Sequence, residues 1–190
     1  MTLYSLIRID GQTPTPILTL EDVKAHLRVD YTDEDTLINS LIAAAGDAIE
    51  VYLWRSLRPT AWRMTALATL SALLLPNSPI LSITSVQTRT ADGVLSLVDS
   101  AAYWLDADAS MLRWKENAVL DAKAEALVVT YQAGFSTIPT SILQAAKLMI
   151  GHWYNHRESS TPERIKTLEE CPMAVHHLLE RYALRSRVSA

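Results

Sequence analysis

The stretch from Asp30 to Leu57, "DYTDEDTLINSLIAAAGDAIEVYLWRSL", decides the fold. Leu37, Ile38, Leu41, Ala45, Ala48, Ile49, Tyr52 and Leu53 recur at helical spacing and make one apolar stripe. Thr32 or Asp33 can cap this helix, and Glu34 and Asp35 fall in its first turn, where the helix dipole favours anions. The run of alanines lets a neighbouring helix approach closely.

Working outward, the period changes on one side only. Upstream, "TLEDVKAHLRVD" opens with Thr19 and Asp22 in an approximate capping box, and Leu20, Val23 and Leu27 share a face. Residues 1–18, with Pro14 and Pro16, read as a poorly regular lead-in. Downstream, Pro59 ends the helical pattern. "TAWRMTALA" alternates in part, "ILSITSVQTRT" is rich in β-branched residues, and Asp92-Gly93 signals a turn in "ADGVLSLVD". "AYWLDADASMLRWKE" holds two short runs about a turn, and "EALVVTYQAG" reads as a strand ending at Gly134. Pro139 then opens "PTSILQAAKLMIGHWYNHRES", whose Ile142, Ala145, Ala146, Met149, Ile150 and Trp153 line one side. After the polar break "ESSTPE", the segment "PMAVHHLLERYALRSRV" reads as a last helix.

The expected fold class is α+β: long packed helices with a small, mostly antiparallel β subdomain inserted between them, and a C-terminal helical tail. Helices are expected over 19–28, 33–55 and 139–158, and the β subdomain over 60–133. Residues 1–160 would form the core and 161–190 the tail.

Composition narrows the function. The 190 residues carry a net charge of −4, half are apolar and a fifth are charged, which describes a globular chain long enough to bury a core. The longest mostly apolar run, Ala66 to Leu75, is too short for a membrane span. The start "MTLYSLIRID" lacks the features of a signal peptide. Cys171 is the single cysteine, so no intrachain disulfide can form and a reducing compartment is expected. The acidic balance argues against autonomous DNA binding, which draws on counterion release by a basic surface.

The chemical candidates are few. His152 and His156 stand four apart, a spacing that can hold zinc, but Trp153 occupies the place of a catalytic Glu and no third ligand is evident. His176 and His177 are adjacent and point to different helix faces. "DYTDED" lacks the central Gly and terminal Glu of a calcium loop, and its acids would repel phosphate in a helix-turn-helix. No catalytic residue, metal site or cofactor is expected. The tail is different: Val175, Leu178, Leu179 and Tyr182 form an apolar stripe, followed by Arg181, Arg185 and Arg187. It could dock on its own core or on another chain. In the second case, removing residues 162–190 should leave the thermal transition nearly unchanged.

The order "LTLEDVKAHLRVD", "DEDTLINSLIAAAGDAIEVYL", "LLLPNSPILSITSV", "YWLD", "LVVTYQAGF", "IPTSILQAAKLMIGHWYNHRES" resembles the phage head–tail connector (adaptor) family, in its long form with a β insertion. The likeness runs from Leu18 to Arg157 and continues more weakly through "PMAVHHLLERY". Its most specific set is Pro76, Pro79-Ile80, Ser85-Val86, Tyr131–Gly134 and His152-Trp153-Tyr154. The resemblance implies a non-enzymatic subunit, made in the bacterial cytoplasm and placed in the neck of a phage, prophage or gene-transfer particle. It implies a ring, usually dodecameric, below the portal protein, with a stopper or tail-side connector as the next partner. DNA would cross the channel without specific binding. Residues 172–188 would face the portal, with Val175, Leu178, Leu179, Tyr182, Arg181, Arg185 and Arg187 as docking candidates. The chain departs from its relatives at Trp54, where they commonly have a small residue, which makes Trp54 the ring-interface candidate. The alternatives are a DNA-binding packaging component and a metal-dependent enzyme using His152 and His156.

Overall fold

A computed structural model describes residues 4–9, 11, 15–68, 72–116, 118, 123–156 and 173–184. The chain divides into two compact units, one of Met1–Gln12 with Arg58–Ser136 and one of Thr13–Leu57 with Thr137–Ala190.

The first unit is built by period-two segments. Strands β1 (Tyr4–Arg8), β2 (Thr60–Leu67), β4 (Ile80–Thr90), β5 (Leu95–Leu97) and β8 (Ala124–Ala133) form a five-stranded sheet in the order β1-β2-β8-β4-β5. Strands β3 (Ala72–Leu74), β6 (Tyr103–Asp106) and β7 (Met111–Trp114) form a second sheet in the order β3-β7-β6. Every described pairing is antiparallel. Alternation places Met64, Ala66, Val86, Val129 and Tyr131 on one face of the larger sheet, where they pack with Leu73 and Leu112 of the smaller one.

One local knot explains two of the sequence blocks quoted above. The Tyr131 hydroxyl, on a fully buried ring, donates to the Pro76 carbonyl at 3.1 Å, and the Gly134 N–H donates to the Pro79 carbonyl at 2.8 Å. The Ser78-Pro79 bond is cis. Gly134 has φ +136°, and a Cβ there would lie 1.9 Å from the Arg58 carbonyl oxygen. Only glycine fits.

The expected irregular lead-in is corrected here. Tyr4–Arg8 is a strand, paired with β2 in a register that sets Tyr4 opposite Ala66 and Arg8 opposite Trp62. Leu6 packs on the sandwich core, and the Ile9 N–H extends the ladder to Ala61. The pairing is with residues more than fifty positions away, so nothing local announces it.

The second unit holds the helices α1 (Leu20–Leu27), α2 (Asp35–Leu53), α3 (Thr140–Asn155) and α4 (Met173–Glu180). Thr19 caps α1: its Oγ1 accepts from the Asp22 N–H and donates to the Asp22 carboxylate. In α2 the buried line is Ile38, Ile42, Ala45, Ile49 and Leu53, with Leu37, Leu41, Ala48 and Tyr52 half-buried beside it. Ile42 thus joins the expected stripe. Neither Thr32 nor Asp33 caps α2; Glu34 stands at the cap position without a capping bond. Pro139 does sit at the start of α3, whose Ile142, Ala145, Ala146, Met149 and Ile150 are buried. By length and composition alone α2 could cross a membrane. Its buried line, packed within the unit, makes it a core helix instead.

Candidate assembly surfaces

The C-terminal end of α2 is the most unusual surface of the helical unit. Trp54 follows the helix in the left-handed conformation, φ 55° and ψ 38°, a geometry that suits glycine and rarely a bulky residue. Its side chain is 72 % exposed. Around it the chain is stitched together from both ends. The Arg55 Nε donates to the Tyr182 carbonyl at 2.6 Å, and the Leu184 N–H donates to the Leu53 carbonyl at 3.2 Å. Tyr52 and His176 meet edge to face, with ring centroids 5.7 Å apart. Burial lowers the pKa of the Arg55 guanidinium from its ordinary value.

These contacts leave a concave site of about 540 Å³, lined by Tyr52, Trp54, Met173, His176, His177 and Leu184 among others. The tail residues expected to face another chain divide around it. Val175 and Leu179 are fully buried, and α4 packs against α3 within the unit. Leu178 and Tyr182 are half-buried and Arg181 is exposed, its guanidinium 5.3 Å over the Tyr182 ring. Arg185 and Arg187 lie outside the described residues, as do Cys171 and the start of the tail. Of the two tail readings, docking on its own core describes Val175 and Leu179. The expectation that residues 162–190 can be removed without cost is therefore reversed.

At the other end of α2, Glu34 accepts hydrogen bonds from the hydroxyls of Tyr31 and Tyr154. The bond to Glu34, and after it the contact between the Tyr154 and Tyr31 hydroxyls at 3.3 Å, raise the Tyr154 pKa well above the ordinary tyrosine value. They fasten the end of α3 to the start of α2. Tyr31 and Glu34 are over a hundred residues from Tyr154, and the sequence reading missed the cluster; its only signal was the aromatic next to an acidic run.

His152 and His156 stack with ring centroids 4.4 Å apart and tilted by 32°. His156 has left helical geometry, and its Nδ1 lies 2.9 Å from the His152 carbonyl oxygen. Among the described residues no three His, Cys, Asp or Glu converge in a way that could hold a metal. The pair terminates a helix.

The model of the head completion protein family matches residues 16–182. The chain belongs to the head completion protein family. Membership makes it a structural component of a phage-like particle with a head–tail connector role. The family match spans both units, Trp54 and the whole of α4, and leaves out only β1 among the described elements. Among solved structures, the chain is similar to one in the neck of an empty gene transfer agent (GTA) particle computed with C6 symmetry. The identity is 24 %, the TM-score 0.73, and 97 % of this chain and 98 % of that one are covered. It is similar also to a chain of the virion of a native gene transfer agent particle, at 23 % identity and TM-score 0.74, with the same coverage. A third is in the neck of the native particle computed with C12 symmetry, at 22 % identity, TM-score 0.72 and the same coverage. At these identities the likeness establishes the fold. No curated protein matches the chain.

Proposed function

We propose that this head completion protein works in the particle neck as a ring subunit, linking the portal to the stopper or tail-side connector while DNA passes through. The observation that carries the reading is end-to-end likeness to chains of particle necks treated with C6 and C12 symmetry, joined to family membership. A dodecamer fits those symmetries. The role is non-enzymatic, in keeping with a family of structural particle components. The net charge of −4 suits a conduit that must release its cargo.

Electron cryomicroscopy of purified necks tests this. The expected result is a closed ring of this chain between head and tail. A single copy, or none, overturns the ring. A salt-dependent mobility shift with duplex DNA at physiological ionic strength would instead support the packaging alternative.

A further inference from the structure

We infer that the hairpin of β4 and β5 is an arm that seats in the concave site beside Trp54 on a second copy of this chain, so that neighbouring subunits join through two different surfaces. The inference rests on the ring reading above. A ring of more than two copies needs such a contact, because each subunit meets one neighbour with one surface and the next neighbour with another.

The arm is built by its own hydrogen bonds. The Gly93 N–H donates to the Thr90 carbonyl at 2.9 Å, and the Thr90 N–H donates to the Val94 carbonyl at 3.1 Å. Gly93 takes φ +81°, and a Cβ there would meet nothing within 4 Å, so the turn stands in open space. Every residue from Ala91 to Leu97 is exposed. Three of them are large and apolar: Val94 is 58 % exposed, Leu95 50 % and Leu97 73 %. Edge strands are commonly guarded by charge or proline, and β5, Leu-Ser-Leu, has neither. The register sets Gln87 opposite Leu97 and Arg89 opposite Leu95, so these four share the face turned away from the buried Val86 and Thr88. Arg89 is exposed, and among the described residues no ion pair holds it.

The concave site has the complementary character. Trp54, Met173 and Leu184 give it an apolar lining, and Glu180, also exposed, is the only formally charged residue among the described ones that line it. The two leucines of the arm match the lining, and Arg89 beside them matches Glu180. Apolar burial then supplies the affinity and the ion pair sets the register. The other exposed apolar surfaces of the β unit fit less well. On β1, Ile7 lies opposite Arg63, but Ser5 is the only other β1 residue on that face. Trp104 has Arg113 over its ring, but that guanidinium is already held by Asp106 at 3.0 Å.

The test uses the full chain in a Cys171→Ser background, made together with the other particle proteins. Leu97→Cys and Met173→Cys both alter exposed side chains and leave the core intact. When the two single variants are produced together and the purified necks are treated with a short bismaleimide, cross-linked dimers of this chain are expected. Either variant alone should give none, and a chain carrying both should give a ladder. The same necks are imaged. A ring without cross-links overturns this inference and leaves the ring reading standing, whereas no ring overturns both. A link formed only within one copy, or to a different particle protein, also overturns the inference. As a second readout, Arg89→Glu should lower incorporation about tenfold, and Glu180→Arg in the same chain should restore it. Melting curves confirm that each variant is folded, and a folded double variant that is not restored overturns the pairing of arm and site.

Discussion

The two units expose apolar surface in different ways. In the β unit most of the exposed large residues lie on edge strands and turns: Tyr4 and Ile7 on β1, Leu74 on β3, Trp104 on β6, and Val94, Leu95 and Leu97 about β5. In the helical unit Trp54, Met173 and Leu184 come from three separate segments and converge on one concavity. Edge residues follow from the geometry of any open sheet, whose last strand has a partner on one side only. Convergence from distant segments has no such default cause.

The comparison breaks most sharply at Gly134→Ala. If the β unit is the closed one, a Cβ placed 1.9 Å from a backbone carbonyl has nowhere to go, and stability should fall by more than about 4 kcal/mol. Denaturant unfolding measures it, and a near-native midpoint would mean that this closure is looser than the geometry shows.

Leu179→Ala probes the helical unit in the same way. Its side chain is fully buried, so truncation should cost about 2–5 kcal/mol, and deleting residues 162–190 should lower the thermal midpoint as well. A truncated chain that melts as the intact one does would restore the picture of a tail held apart from the core.

Trp54→Gly should do the opposite to stability. Relief of the left-handed strain is worth about 1 kcal/mol, partly offset by the greater freedom of glycine in the unfolded chain. The variant is therefore expected to be as stable as the parent or slightly more so, and defective only in assembly. A destabilised variant would return the indole to the unit's own packing.

The smallest effect concerns Tyr154. Its folded pKa is raised from an ordinary value of 10.0, so its contribution is complete below that value and drains away as pH climbs towards the folded one. Melting curves from neutral pH to beyond 10 should show a shallower alkaline decline in Tyr154→Phe. Parallel curves would mean that the Glu34 bond is not made in solution.

The helices were legible because their signals are local. Thr19 with Asp22 caps α1, the stripe from Ile38 to Leu53 has a 3.6 period, and Pro139 precedes α3; each needs only neighbours within a turn or two. The run of β segments was legible from alternation and turn residues for the same reason. The resemblance was legible because Tyr131–Gly134 and Pro76–Pro79 form one structural knot, which demands particular residues in both stretches.

What the sequence by itself determined is therefore the α+β class, the succession of helical and β segments after the first strand, and the family. Only the tertiary structure decided that Tyr4–Arg8 is a strand, that Val175 and Leu179 belong to the chain's own core, and that Trp54 shares a hollow with Met173 and Leu184. The physical reason is range. Capping, periodicity and backbone strain act between residues a few positions apart, whereas strand pairing, helix docking and a concave surface depend on which distant segments meet.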